Sequence, residues 1–156
     1  ASAFEPQAAD PAVQLAQFDQ FYRVHMAAPF QLNRALAPRL AQNANAGIIH
    51  VTDIYIHAPA PRFAAYVATK AGAHSLAMSF ARELAPAVRV NTIEPGPILF
   101  LDEHGEAWRQ QVLAKTPLAR EGGLAPIWQA VQLLMQNDYM TGASIRVDGG
   151  RGLAVI

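Results

Sequence analysis

Three ionisable side chains in the middle of the chain, Asp53, Tyr66 and Lys70, could act together on a substrate. Tyr66 and Lys70 are four residues apart, so on a helix they lie on the same face. Asp53 follows the apolar run 48–51, which predicts a buried parallel strand. Because open α/β sheets bind ligands at the carboxyl ends of their strands, we expect the three groups to meet in one crevice.

Proton transfer is the chemistry that these residue types support. A free phenol has a pKa of about 10, which is too high for easy proton exchange at neutral pH. A nearby cation stabilises the phenolate, so we expect Lys70 to lower the pKa of Tyr66. Structural alternatives stay open: Tyr66 and Lys70 could only line the surface of an amphipathic helix, and Asp53 could only cap the turn after its strand.

The order of helices and strands predicts how these residues are positioned. Strands are predicted at 47–53, 88–93 and 144–147, and helices at 11–41, 63–85, 103–115 and 124–136. Pro29 and Pro38 should kink or divide the first helix, 54–62 should be a loop, and helix 103–115 should be solvated. Such an order specifies a parallel sheet with right-handed crossovers. A sheet of three buried strands leaves two exposed edges, which predicts that further strands belong to it.

Composition limits the class of protein. A chain of 156 residues suits one domain over 1–156, and 12 basic against 12 acidic residues argue against nucleic-acid or membrane-surface binding. The absence of cysteine excludes disulfides and thiolate chemistry. With neither a signal-peptide pattern nor a long apolar run, a soluble cytoplasmic protein is expected. The histidines lack metal-ligand spacing, so we expect no metal site.

Three motifs, in the expected order, resemble the short-chain dehydrogenase/reductase family. These are Tyr66-x-x-x-Lys70, the segment 91–96 (NTIEPG) and the segment 141–150 (TGASIRVDGG). The resemblance implies a Rossmann-like, doubly wound parallel sheet in a three-layer αβα arrangement. In that family the first strands and a glycine-rich phosphate-binding turn precede the part that matches residue 1. The chain is therefore expected to correspond to the carboxyl-terminal two thirds of a reductase.

Asp53 narrows the resemblance to the pteridine reductases, because most of the family has Ser at that distance before the Tyr. Segments 1–4, 49–53, 79–86 and 98–100 also resemble bacterial dihydromonapterin reductases. The resemblance implies NADPH-dependent reduction of a 7,8-dihydropterin, with dihydromonapterin as the first expected substrate and dihydrofolate or dihydrobiopterin as weaker ones. The C=N nitrogen of such a substrate must gain a proton, which a carboxyl group can relay if burial raises its pKa.

The resemblance also implies a role for each matching residue. The expected catalytic residues are Asp53, Tyr66 and Lys70. The expected contacts to the cofactor are Ser2, Tyr66, Lys70, Pro95, Gly96 and Ile98. The expected contacts to the substrate are Phe4, Asp53 and Tyr66. Phe4 is expected to stack on the pterin, with ordinary core packing as its alternative. His25 falls where the family usually has Asn, and we do not count it as catalytic.

Other expectations concern assembly and rival functions. As in the family, the first two long helices are expected to build a four-helix interface in a homotetramer. One rival function is that of a generic ketone or alcohol oxidoreductase of the same fold. The other is a truncated, catalytically inactive chain that only oligomerises, which the missing phosphate-binding turn favours.

Overall fold

The computed structural model describes residues 10–59, 63–102 and 104–153. In this part of the chain the strands are β1 (Gly47–Val51), β2 (Arg89–Pro95) and β3 (Ser144–Val147). The α-helices are α1 (Pro11–Tyr22), α2 (Ala28–Leu40), α3 (Ala64–Leu84), α4 (Glu106–Ala114) and α5 (Leu124–Gln136). A π-helical segment, Arg23–Ala27, joins α1 to α2, and short 3₁₀ turns cover Ile54–Ile56 and Arg151–Leu153.

The described strands form a parallel sheet in the order β1-β2-β3, as predicted. Gly47 lies opposite Arg89 at one end of the β1–β2 pair, and Pro95 lies opposite Val147 at the end of the β2–β3 pair. Helix α3 links β1 to β2, and α4 and α5 link β2 to β3. The strands therefore all end at the same edge of the sheet, which is the edge that carries Asp53.

Two apolar clusters cover the two faces of β2. On one face Val90 packs with α3 residues Ala77, Phe80 and Ala81. On the other face Ile93 packs with α5 residues Ala130 and Leu134. Since helices cover both faces, the predicted Rossmann-like, doubly wound αβα arrangement is confirmed. That residues 1–156 form one domain stays a prediction.

The predicted helix 11–41 is divided before Pro29 and not at Pro38. A proline lacks an N–H donor and its ring displaces the carbonyl four residues earlier, so the backbone widens into the π-helical segment just before it. The Ala28 N–H there donates to the Arg23 carbonyl, five residues back. Pro38 lies inside α2, which continues past it and ends at Leu40. The π-helical segment brings His25 and Met26 against α3.

Smaller differences concern the ends of elements. β1 ends at Val51, β2 extends to Pro95, and a 3₁₀ turn forms within the predicted loop 54–62. Helix α4 is shorter than predicted and is not fully solvated, because Trp108 and Val112 line a cavity. Across the described residues, no helix combines the length and apolarity needed to cross a membrane.

Gly96, at the end of β2, generates a test of the fold. A Cβ atom added there would lie 2.7 Å from the Asp148 Cα and 2.9 Å from its carbonyl oxygen, so backbone would have to move. We expect Gly96→Ala to lower the free energy of unfolding by about 1–3 kcal/mol, the usual effect of overpacking.

The matched control is Gly105→Ala at the start of α4, where an added Cβ meets no atom within 4 Å. There the expected loss is below about 1 kcal/mol. Urea unfolding of both variants measures the difference. Equal losses would show that the strand ends are not packed as closely as described.

Candidate active site

Asp53 uses its two carboxylate oxygens for different partners. Oδ1 accepts a hydrogen bond from the Tyr55 backbone N–H at 2.9 Å, which caps the 3₁₀ turn after β1. Oδ2 accepts a hydrogen bond from the Tyr66 hydroxyl, also at 2.9 Å. The capping alternative therefore accounts for one oxygen, and the other oxygen joins the end of β1 to the first turn of α3.

Tyr66 and Lys70 lie on one face of α3, as their spacing predicts. The Lys70 Nζ atom is 5.8 Å from the centre of the Tyr66 ring and donates a hydrogen bond to the Val51 carbonyl at 3.1 Å. Tyr66 is buried, and Lys70 and Asp53 are partly buried. The structure thus brings together the three predicted catalytic side chains where β1 ends.

The electrostatics of Asp53 and Lys70 follow from burial. Burial raises the pKa of Asp53, and the neighbouring Glu94 carboxylate raises it further. The Tyr55 N–H, the Tyr66 hydroxyl and the Lys70 ammonium act in the opposite direction without overcoming burial. Burial also lowers the pKa of Lys70, although the Asp53 charge opposes that shift. Each group is thereby shifted toward its neutral form.

The expectation that Lys70 lowers the pKa of Tyr66 is wrong for this arrangement. The pKa of Tyr66 is raised, first by burial and then by the Asp53 carboxylate. The reason is geometric: Asp53 is hydrogen-bonded to the phenol oxygen itself, whereas the Lys70 ammonium is held by the Val51 carbonyl. Tyr66 is therefore a protonated hydrogen-bond donor, and Asp53 is the group whose proton affinity is adjusted toward neutral pH.

His25 packs against Tyr66 from the π-helical segment. Its ring centre is 5.4 Å from that of Tyr66 in an edge-on contact, and Phe21 stacks on the His25 ring at 5.6 Å while also contacting Tyr66. Its Nδ1 lies 2.9 Å from Thr69 Oγ1, whose hydroxyl hydrogen donates to the Tyr66 carbonyl. Because a hydroxyl has one hydrogen, Thr69 accepts from Nδ1–H, which fixes the tautomer of the neutral ring.

A cavity of about 100 Å³ opens beside Asp53. Its walls include Asp53, Tyr55 and three of the predicted cofactor contacts, Pro95, Gly96 and Ile98. The Pro97 and Ile98 carbonyls accept hydrogen bonds from Gly122 and Gly123, which hold this segment in place. Trp108 and Val112 of α4 and Arg151 also line the cavity.

The structure adds a packing reason for the glycine at position 96, whose contact to a cofactor stays a prediction. The sequence suggests that glycine lets a cofactor approach the backbone closely. In the structure the approaching group is Asp148, from the turn after β3, which leaves no room for a Cβ atom. Close packing of the chain on itself is therefore sufficient to require this glycine.

Two predicted contacts, Ser2 and Phe4, lie outside the described residues, so their roles stay predictions. Two buried charged residues that sequence reasoning missed line or adjoin the site. Glu94 is 2% exposed, and its Oε2 lies 2.9 Å from His57 Nε2 and 3.7 Å from Arg146 Nε. Arg151 is 9% exposed and lines the cavity. The available signal was a charged residue inside a buried strand and another directly after Gly149-Gly150.

Comparison with known proteins connects this geometry to a family. Residues 1–151 match the family model described as enoyl-(acyl carrier protein) reductase. The chain is 39% identical, over 137 residues, to the dihydromonapterin reductase of Klebsiella pneumoniae. That match covers 86% of this chain and 57% of the relative.

Two solved structures are similar over most of the chain. One is the FolM alternative dihydrofolate reductase 1 from Brucella canis complexed with NADP, with a TM-score of 0.87 and 27% identity. The match covers 98% of this chain and 61% of the Brucella canis chain. The other is an apo SCOR enzyme from Clostridium thermocellum, with a TM-score of 0.76 and 32% identity over 87% of this chain and 54% of its own. The chain therefore spans little more than half the length of these proteins.

The environment of His25 predicts a pH dependence of stability. Burial, followed by the charge of Lys70, lowers the pKa of His25 from 6.5 to about 4. Between these values the unfolded chain binds more protons than the folded chain, so stability falls as the pH falls from about 6.5 to about 4. Above that window His25 contributes no pH dependence. Because His25 is partly exposed, we expect a loss of about 1–2 kcal/mol.

Urea unfolding of the unmodified protein and of His25→Asn at pH 7 and pH 4.5 checks this. The variant removes the titrating ring, so its loss between the two pH values should be smaller by that amount. Asp53 titrates in both proteins and cancels in the comparison. An identical loss in both would contradict the buried, neutral state of His25.

Proposed function

This chain belongs to the short-chain dehydrogenase/reductase family, and from that premise we propose that it carries out NADPH-dependent reduction of a 7,8-dihydropterin. Dihydromonapterin is the first substrate to consider, followed by dihydrofolate and dihydrobiopterin. The relative from Klebsiella pneumoniae is named for dihydromonapterin, and the Brucella canis structure is named for dihydrofolate. These names support a pterin as the substrate class.

The observation that carries the proposal is the hydrogen bond between the Tyr66 hydroxyl and Asp53 Oδ2. Reduction of the pterin C6=N5 bond requires a proton at N5 as C6 receives hydride. Asp53 suits this task because burial raises its pKa toward the range in which a carboxyl group exchanges protons. The raised pKa of Tyr66 keeps its hydroxyl protonated, so Tyr66 orients the carboxyl group.

A proton bound at Asp53 Oδ2 passes to N5, directly or through one water molecule, and solvent then reprotonates the carboxylate. Oδ1 stays bonded to the Tyr55 N–H, so the carboxyl group keeps its orientation during the transfer. Tyr66 is held against His25 and Phe21, which restricts its ring to the position that meets Oδ2.

The residues at this edge fit a nicotinamide cofactor. NADPH, when bound, supplies the hydride. Lys70 carries three N–H donors, and within the described residues one of them is used, for the Val51 carbonyl. The other two suit ribose hydroxyl groups. Pro95, Gly96 and Ile98 border the same cavity as Asp53, so a ring resting on them would face the proton donor. Ser2 and Phe4 are proposed to complete the cofactor and pterin contacts.

A direct test compares variants of the intact protein in NADPH oxidation with 7,8-dihydromonapterin. We expect Asp53→Asn to lower kcat by about 10²–10⁴-fold, the usual contribution of a general acid. Tyr66→Phe removes the hydrogen bond that orients Asp53 and should also lower kcat. Asp138→Asn, at an exposed position, is the matched control and should leave kcat unchanged.

A ketone substrate separates this proposal from a generic oxidoreductase. Should Asp53→Ser increase ketone reduction while dihydropterin turnover persists, the ketone function would replace the proposed one. Absence of NADPH binding by the unmodified protein would favour the inactive chain instead.

We also propose self-association, with a homotetramer as the expected state. Helices α1 and α2 expose large apolar side chains, among them Leu15, Phe18 and Leu32. Exposed apolar helix faces of this kind usually mark interfaces. Light scattering of the intact protein should give a mass four times that of the protomer, and Leu15→Glu should reduce it. A monomer at micromolar concentration would contradict the proposal.

A further inference from the structure

We propose that Arg151 binds an oxyanion, a carboxylate or phosphate, carried by the substrate in the cavity that Asp53 also lines. This inference rests on the proposed function and predicts that, of its candidate substrates, dihydrofolate is recognised through the carboxylates of its C6 substituent. It comes from an arginine whose surroundings do not satisfy it.

Arg151 is buried with few and long hydrogen bonds. It is 9% exposed, and its Nε atom is buried without a hydrogen-bond partner. In the part of the chain that the structure describes, Nη2 donates to the Tyr55 hydroxyl at 3.3 Å and Nη1 to the Val112 carbonyl at 3.4 Å. Both distances exceed the 2.7–3.2 Å that is usual for N–H···O bonds. No ion pair of Arg151 with a carboxylate occurs among the described residues.

Arg89 shows what a structural arginine of equal burial looks like in this protein. It is also 9% exposed and its Nε also lacks a partner. Its Nη1 donates to the carbonyls of Leu134 at 2.9 Å and Met140 at 3.1 Å, and its Nη2 donates to Asn45 Oδ1 at 3.0 Å. The fold therefore satisfies Arg89 with short bonds and leaves the donors of Arg151 available. Because a buried unpaired cation is unfavourable, Arg151 is arranged for a partner that arrives with a ligand.

The position of Arg151 connects it to the proposed chemistry. Tyr55 connects Asp53 to Arg151: its backbone N–H donates to Asp53 Oδ1, and its hydroxyl oxygen accepts from Arg151 Nη2. The guanidinium thus lies about one tyrosine side chain away from the carboxyl group, along the wall of one cavity. A dihydropterin with N5 at Asp53 would direct its C6 substituent, which is attached next to N5, along this wall.

The chemistry of the cavity selects the ligand. A guanidinium presents parallel N–H donors that match the two oxygens of a carboxylate or phosphate. The walls beside it are largely apolar, including Ile54, Ile98 and Val112, which strengthens an ionic contact by excluding water.

The test compares two substrates in the intact protein with NADPH. Dihydrofolate carries carboxylates on its C6 substituent, whereas dihydromonapterin carries a neutral trihydroxypropyl group. We expect Arg151→Gln to lower the ratio of kcat/KM for dihydrofolate to that for dihydromonapterin at least tenfold, mainly through KM for dihydrofolate. Arg151→Lys keeps the positive charge but loses the parallel N–H donors of the guanidinium, so it should give an intermediate ratio. It is the variant to measure if Arg151→Gln does not fold.

The matched control is Arg89→Lys, which should lower the melting temperature and leave the substrate ratio unchanged. An unchanged ratio in both Arg151 variants would overturn the assignment of this site to the substrate.

A second measurement does not depend on catalysis. At constant ionic strength, inorganic phosphate should raise the melting temperature of the unmodified protein and of Arg89→Lys, but not of Arg151→Gln. If the unmodified protein turns over neither dihydropterin, the proposed function fails, and the oxyanion site is then tested by the melting temperatures alone. A phosphate-induced rise in melting temperature that is lost in Arg151→Gln supports the oxyanion site. No shift in the unmodified protein would overturn the site. A shift with an unchanged substrate ratio would show a site for free anions and overturn the assignment to the substrate.

Discussion

The hydrogen bond from the Tyr66 hydroxyl to Asp53 Oδ2 is the contact on which the candidate site depends. It joins the end of β1 to the first turn of α3, two places that the chain separates by a loop. The bond forms because α3 crosses back over the sheet and lies beside the strand that precedes it. His25 and Phe21 then hold Tyr66 from the side of the first helices, and Thr69 of α3 holds the His25 ring in place. A shift of α3 along the sheet would therefore separate phenol and carboxyl.

Burial, more than charge pairing, determines the electrostatic character of this edge of the sheet. It is the largest cause of the raised pKa of Asp53, the raised pKa of Tyr66 and the lowered pKa of Lys70. Lys70 and Asp53 each favour the other's charged form, but not enough to offset the loss of water. The pKa values of Asp53 and Lys70 thereby move toward neutral pH, which favours proton exchange, whereas the raised pKa of Tyr66 keeps its hydroxyl protonated.

Much of the architecture followed from pattern alone. The sequence pattern predicted three elements closely: β1 from the apolar run 48–51, α5 from the helical pattern of 124–136, and β3 from the segment Ser144–Val147. Each of these segments packs in or against the parallel sheet, so its pattern reflects one environment. The division of the first helix was harder to locate. Two prolines were candidates, and a π-helical segment precedes only Pro29, whereas Pro38 lies inside α2 without dividing it.

The sequence by itself determined the parallel order of the sheet and the meeting of Asp53, Tyr66 and Lys70, since helical spacing and strand ends place them without knowledge of other contacts. Only the tertiary structure decided what each group does to the others. Which atom Lys70 bonds, how deeply Tyr66 is buried and which arginine lacks partners are set by residues far apart in the chain. Desolvation and hydrogen-bond satisfaction depend on all the residues packed around a group, and the local spacing of residues in the sequence does not predict that environment.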